Sequence, residues 1–500
     1  MRRVIEPQMK LGELAIADIK LDPKSRDDIP QILRGLQHIY TTPELRGAVF
    51  AILAEVLPVT QIEGKTVKAD PNNGRPGMTQ WQILVLGVLR LGLNADYDRI
   101  LELANEHKTL RKMLGHSDWA AEKLYNLQTL KDNLRLFTPE ILDRLNRVIV
   151  GAGHQALKKT LEEGIVGRCD SFVVETDVHF PTDINLLLDA IRKVIEISAE
   201  LSSTCNLPGW RQHHYHQRQF KRQYRTVQQL KHSTSKDESK QQRKEQEIKE
   251  AHRAYLDLAE GYLTRADQTR QMVSSHDPLS VVRLSVLNDF IQHARRQIDQ
   301  IDRRVLQGER IPHDEKVFSL FQPHTEWISK GKAGVPVELG LRVCIMEDQD
   351  RFILHHRVMV KSTDDRVAFA MVGETKQKFP TLRAVSMDKG FYSPANQEVL
   401  KPRLECVVLP KKGRLSQADK DRENDLEFVK LRKQHSAVES AINALEVHGL
   451  DKCPDHGLRG FKRYIAMAVV ARNIQRLGAV LRQQEQEAVQ RKRGSYKKAA

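Results

Sequence analysis

Paired cysteines are missing from this chain of 500 residues. The five present, Cys169, Cys205, Cys344, Cys406 and Cys453, are scattered, and none forms a Cys-x-x-Cys pair. That argues against a zinc knuckle and against a disulfide framework. Cys453 and His456 leave one Cys-x-x-His half-site with no second half, which reads as a loop. No apolar run is long enough to span a bilayer, and no signal-peptide pattern precedes the body of the chain. The expectation is a protein of the reducing cytoplasm with no membrane partner. Acidic residues are missing altogether from Asn206 to His232.

What is there is basic. Lys and Arg number 80 against 65 Asp and Glu, a net charge of +15. A basic surface favours a polyanion, because each phosphate neutralised releases condensed counterions; the plainer alternative is a protein that is merely basic. The acid-free stretch holds Arg211, Arg218, Lys221, Arg222, Arg225 and Lys231, interleaved with Trp210, Tyr215, Phe220 and Tyr224. Cations beside aromatics suit phosphate contact with stacking on bases or sugars; a solvated helix is the alternative. Arg491, Lys492, Arg493, Lys497 and Lys498 form a second basic cluster.

Hydrophobic residues make up 40 % of the chain, enough for a sizeable core and two to four domains. The first 150 residues read as helical. Ile32, Leu33, Leu36, Ile39 and Tyr40 share a face, Thr42-Pro43 and Thr138-Pro139 give cap-plus-proline starts, and Trp81 to Leu93 suits a buried helix. Asn72-Asn73-Gly74-Arg75-Pro76-Gly77 reads as a linker. Ser171 to Thr176 reads as a short strand that Asp170 opens, and Pro181-Thr182-Asp183 as the start of a helix. Leu284, Leu287, Ile291, Ala294, Ile298, Ile301 and Val305 form a heptad seam, expected to pack in a hairpin against residues 250–272 in preference to an intermolecular coiled coil. Strands return at 337–345, 351–360, 382–387 and 405–410, with a helix from Asp364 to about Lys378 and a helical tail from about Val429 to Gln486.

With the helical stretch removed, the order of elements is that of a ribonuclease-H-like domain: three antiparallel strands, then two added in parallel through helices. That architecture sets the first strand beside the fourth, and so Asp170 beside Asp388, which closes the fourth. A third acid, Glu439, lies on the following helix, with His435 and Asn443 four residues either side on one expected face. Clustered carboxylates repel unless a cation neutralises them. Mg²⁺ takes oxygen ligands, and two such ions can activate the attacking oxygen and stabilise the leaving one in phosphoryl transfer. Any single Asp at a strand end is more often a turn or cap residue.

These residues also carry a resemblance. Cys169 to Thr176 with Val178 to Asp183, Met387-Asp388-Lys389-Gly390-Phe391-Tyr392-Ser393, and His435 to Glu439 with Gly460-Phe461-Lys462 and Ala471-Arg472-Asn473-Ile474 resemble the three acidic blocks of insertion-sequence DDE transposases, in particular the ISNCY-type group. Gly74-Arg75-Pro76 and the helix at Trp81 resemble the helical domain that precedes the catalytic domain in related transposases. The resemblance implies that Asp170, Asp388 and Glu439 are the catalytic, metal-binding triad. It also implies Mg²⁺ as cofactor with Mn²⁺ as substitute, and double-stranded DNA (transposon ends and target) as partner. A homodimer or larger synaptic complex and a bacterial, nucleoid-associated setting follow as well. Where many relatives carry Tyr, Arg, Glu and Lys in the third block, this chain has Arg432, His435, Glu439 and Glu446. Its insertion follows the first strand, whereas some relatives carry theirs after the fifth. Asp177 and Asp183 are rivals to Asp170.

The expected architecture is therefore α+β and mostly helical. It comprises an N-terminal helical segment (1–60), a helical DNA-binding domain (78–150), and a ribonuclease-H-like catalytic domain with a mixed five-stranded sheet (165–480). A basic helical insertion (190–325) interrupts the last, and a basic tail (485–500) follows it. Arg211, Arg218, Lys221, Arg222, Arg225, Arg432 and His435 are the candidate DNA contacts, with residues before about 150 reading the transposon end. The alternatives are a structure-selective nuclease with the same metal chemistry and a transposase-derived DNA-binding protein without catalysis. A structural coiled-coil protein leaves the strands unexplained.

Overall fold

The computed structural model describes every residue except 1, 7, 8, 10, 63, 64, 74–76, 118–123, 161, 162, 274–276, 330–336 and 500, and leaves aside the side chains of 59–66 and 492–500. Gly74-Arg75-Pro76 and the side chains of Lys492, Arg493, Lys497 and Lys498 thus lie outside the described residues. The chain is a mostly helical α+β protein, 62 % helix, with a mixed sheet. It divides into two units, residues 1–177 with 328–500, and residues 178–327. No helix among the described residues is long and apolar enough to cross a membrane.

The first unit begins with helices α1 (Asp28–Thr41) and α2 (Pro43–Leu53) and a small antiparallel hairpin, β1 (Val59–Ile62) with β2 (Lys65–Lys68). Helices α3 (Gln80–Gly92), α4 (Tyr97–Glu106), α5 (Lys108–Met113), α6 (Leu127–Leu134) and α7 (Pro139–Ala156) follow. Side-chain caps fix several starts. Thr79 and Gln82 form a reciprocal capping box on α3, and Asp96 and Thr138 accept from the third helical N–H of α4 and α7. Every residue of α3 except Gln82 is buried, as its apolar circumference requires.

The sheet starts at β3 (Ile165–Thr176). At the end of the second unit comes β4 (Glu326–Ser329), followed by β5 (Val337–Glu347), β6 (Ile353–Met359), α12 (Asp364–Lys378), β7 (Leu382–Met387), α13 (Pro394–Leu400) and β8 (Cys406–Val408). β3 pairs antiparallel with β5 and β5 antiparallel with β6, while β7 lies parallel to β3 and β8 parallel to β7. Parallel neighbours need a crossover, and α12 and α13 supply it. The lateral order is therefore β6-β5-β3-β7-β8. The sheet has seven strands, not the five expected, because β4 pairs with β5 and the short β9 (Lys452–Cys453) pairs with the end of β3. Both additions are too short to show an apolar alternation.

The helical tail expected from about Val429 to Gln486 with a break near Cys453-Pro454 is interrupted there by a short strand, and once more between His435 and Ala437. The C-terminal stretch forms α14 (Gln417–Glu423), α15 (Leu426–His435), α16 (Ala437–Leu445), β9 and the long α17 (Gly457–Ala499). α17 crosses α1 so closely that a Cβ on Gly478 would collide with the Gln31 carbonyl, and one on Gly35 with that of Ile474. One apolar core joins α1 to α7, the sheet and α17.

The second unit carries α8 (Asp183–Thr204), α9 (His213–Gln229), α10 (Glu238–Met272) and α11 (Pro278–Ile301) around its own core. Leu287, Ile291, Ala294 and Ile301 of the heptad seam are buried here. Their main partner is α8, with α10 the lesser one, which corrects the expected hairpin with 250–272. A heptad shows that a face is apolar and does not name what covers it.

Candidate active site

Asp170 lies in the middle of β3, because pairing with β7 begins as far back as Ile165. That corrects its expected place at the strand's start: Gly167 and Arg168 interrupt the apolar run without interrupting the backbone ladder. The last paired residues of β3 and β7 are Cys169 and Met387, so Asp170 and Asp388 are the next residues on two adjacent parallel strands. Asp388 also starts a short turn of helix, its carboxylate accepting from the Lys389 N–H. Glu439 is exposed in the first turn of α16, which packs on β3.

The electrostatics tie these acids together. Burial, and then the negative charges of Asp388, Asp364 and Glu439, push the Asp170 carboxyl up to about 6, against a hydrogen bond from the Ser171 N–H that lowers it. Asp364 is the member the sequence did not single out. It opens α12, its Oδ1 accepts from Ser171 Oγ at 2.6 Å, and a Cβ on Gly390 would stand 3.1 Å from its Oδ2. It therefore spans from β3 to the loop after Asp388. The run Thr363-Asp364-Asp365 reads simply as a helix start, so no sequence signal marked it.

The expected shared face of His435, Glu439 and Asn443 does not form as one helix: α15 ends at His435, Ser436 intervenes, and α16 begins at Ala437. His435 nonetheless stays in the group. Its Nδ1 lies 3.0 Å from Ser386 Oγ on β7, and its Nε2 is buried without a hydrogen-bond partner. Burial lowers its pKa, against the raising pull of Asp388 and Glu439. Arg432 is exposed and paired with Glu423 at 3.5 Å.

The rivals lie elsewhere. Asp177 follows the far end of β3 and pairs with Lys452 at 2.7 Å. Asp183 is the first residue of α8 and pairs with Arg304 at 3.1 Å; the cap itself is Thr182, which accepts from the Asn185 N–H.

All four clustered acids offer oxygen, the donor that Mg²⁺ and Mn²⁺ prefer, and their mutual repulsion is what a divalent cation relieves. The donor set fits such an ion. Among the described residues no three acidic, His or Cys side chains close to metal-binding spacing, so the acids are neighbours and not a preformed cage.

In the second unit Arg211, Arg218, Lys221, Arg222 and Arg225 are exposed, the last four on α9. The expected stacking aromatics differ. Trp210, Phe220 and Tyr224 are buried, Trp210 donating to Thr269 Oγ1 at 2.8 Å and Phe220 stacked on Tyr255. Only Tyr215 of the four is exposed. The interleaving is the two faces of an amphipathic helix, one apolar and one cationic. No family model, curated protein or solved structure matches this chain.

Proposed function

We propose that the protein is a DDE transposase. It binds the terminal inverted repeats of an insertion sequence and catalyses metal-dependent phosphodiester cleavage and strand transfer. The observation that carries this reading is the convergence of Asp170, Asp388 and Glu439 from three distant parts of the chain, with Asp170 electrostatically coupled to the other two. The lateral order β6-β5-β3-β7-β8, with three antiparallel strands and two added in parallel, supports a ribonuclease-H-like catalytic domain.

Asp170, Asp388 and Glu439 are the residues to hold Mg²⁺ or Mn²⁺, with Asp364 beside them. The ion supplies charge neutralisation and activation of oxygen in an in-line displacement at phosphorus. The chain's own part is to fix the carboxylates: β3 and β7 set two of them side by side, and the Ser171 N–H and the Lys389 N–H orient them. Burial lowers the His435 pKa, which disfavours a competing positive charge beside the acids.

Metal dependence is the first test. A plasmid carrying the DNA that flanks the gene should be cut with Mg²⁺ or Mn²⁺, while Ca²⁺, larger and looser in coordination, should support binding without efficient cutting. Joined products distinguish a transposase from a nuclease with the same chemistry. Full activity in a chelator would sink the reading.

A further inference from the structure

A cleft of about 1050 Å³ opens in the first unit, away from the carboxylates. Asp177, just past the end of β3, lines it, together with residues of α3, α4, α6 and the start of α17. Its lining holds seven Arg or Lys against four Asp. The acids are largely committed. Asp455 takes both Arg90 at 3.3 Å and Arg463 at 2.7 Å, Asp177 takes Lys452, and Asp96 caps α4. Arg99, Lys131, Arg135 and Arg459 make no ion pair among the described residues.

The wall behind these cations is formed by Arg90 packed between two aromatic rings. The Arg90 side chain is 7 % exposed, lies 4.0 Å from the Tyr97 ring centroid and 5.3 Å from that of Tyr464, and keeps its Nε without a hydrogen-bond partner. A buried guanidinium held between two rings, with exposed cations beside it that make no ion pair among the described residues, suits phosphate oxygens. The cationic lining of the cleft does not suit an apolar ligand.

The geometry points to a binding site for the phosphate backbone of double-stranded DNA. From Asp170 to the cleft is seven residues of strand, roughly 23 Å at about 3.3 Å per residue. The site rests on the functional reading above and adds to it a second anchor for the same duplex, on residues outside both the triad and the cationic face of α9.

The test uses the full chain and a random-sequence duplex, with affinity followed by fluorescence anisotropy across a salt series. R99Q/R135Q/R459Q alters three exposed side chains. It should lower affinity on the order of 10- to 100-fold near 0.1 M salt and reduce the salt slope by about three. R99K/R135K/R459K keeps the charge and should keep the slope; a loss as large as that of the Gln triple would show that charge is not what the DNA reads and overturn the site. An unchanged slope in the Gln triple, with the unaltered chain binding normally, overturns the cleft alone. No duplex binding by the unaltered chain at any salt overturns the functional reading and the cleft with it.

Discussion

Asp170 carries the electrostatic strain of the acidic group. Its carboxyl sits at about 6 because it is buried and faces three other acids, Asp388, Asp364 and Glu439. The sign follows from proton binding. Between its ordinary value near 4 and 6 the folded chain holds a proton that the unfolded chain has released, so stability falls as pH rises through that window. The ionised carboxylate then costs up to about 3 kcal/mol at neutral pH without metal. D170N should therefore raise the melting temperature at pH 7 to 8 and leave it unchanged below pH 4. Mg²⁺ should stabilise the unaltered chain at pH 8 more than D170N. Equal pH profiles for the two proteins would show that the group is not strained. Asp364 acts on the same residue. D364N should lower the Asp170 pKa and reduce cleavage by about 10- to 100-fold without abolishing it, since Asp364 borders the group and is held by Ser171. A D364N enzyme with normal activity and an unshifted acid limb in its pH–rate profile would remove Asp364 from the site.

At the scale of elements, α9 turns one face of Phe220, Tyr224 and Val227 into the core and the other, with Arg218, Lys221, Arg222 and Arg225, outward. Replacing those four cations with Gln should weaken DNA binding for every sequence and reduce the salt slope by up to about four. A loss of preference for one end sequence, with general affinity intact, would instead make α9 the reader of sequence. The elements also show what could be read in advance. Helices with a side-chain cap and a single apolar stripe, such as α4 and α7, are legible because each signal is local, while α2 starts at Pro43 without the side-chain cap expected of Thr42. Asp170 beside Asp388 is legible only through an assumed order of strands. Asp364 was not, because its partners Ser171 and Gly390 meet it only in the folded chain. The Ala471-Arg472-Asn473-Ile474 motif has a structural basis. Asn473 donates to Asn146 and to the Ile353 carbonyl at 2.7 and 2.8 Å and accepts from the Ile353 N–H, tying α17 and α7 to β6. Sequence alone cannot separate such a buried clamp from a site residue.

For the whole molecule, the two units have separate cores. The core of residues 178–327 holds Trp210, Tyr255, Leu287 and Ile291, all within that stretch. The excised fragment 178–327 should therefore be helical by circular dichroism and unfold in one cooperative thermal transition. A fragment that is unfolded at 25 °C would mean that this core needs the rest of the chain. The first unit allows no such excision between 150 and 165, because α3 and α7 pack on α17 across one continuous core.

The most direct measurement compares D170A, D388A and E439A with the unaltered chain, in Mg²⁺, on DNA carrying the sequences that flank the gene. Cleaved and joined products are counted beside DNA affinity. Each substitution should reduce cleavage by at least about a thousandfold and leave binding within a few-fold, because these side chains hold metal and not DNA. Cleavage that survives in D170A and disappears in D177A, or that persists in D388A or E439A, would contradict the assignment of these three acids as the catalytic centre.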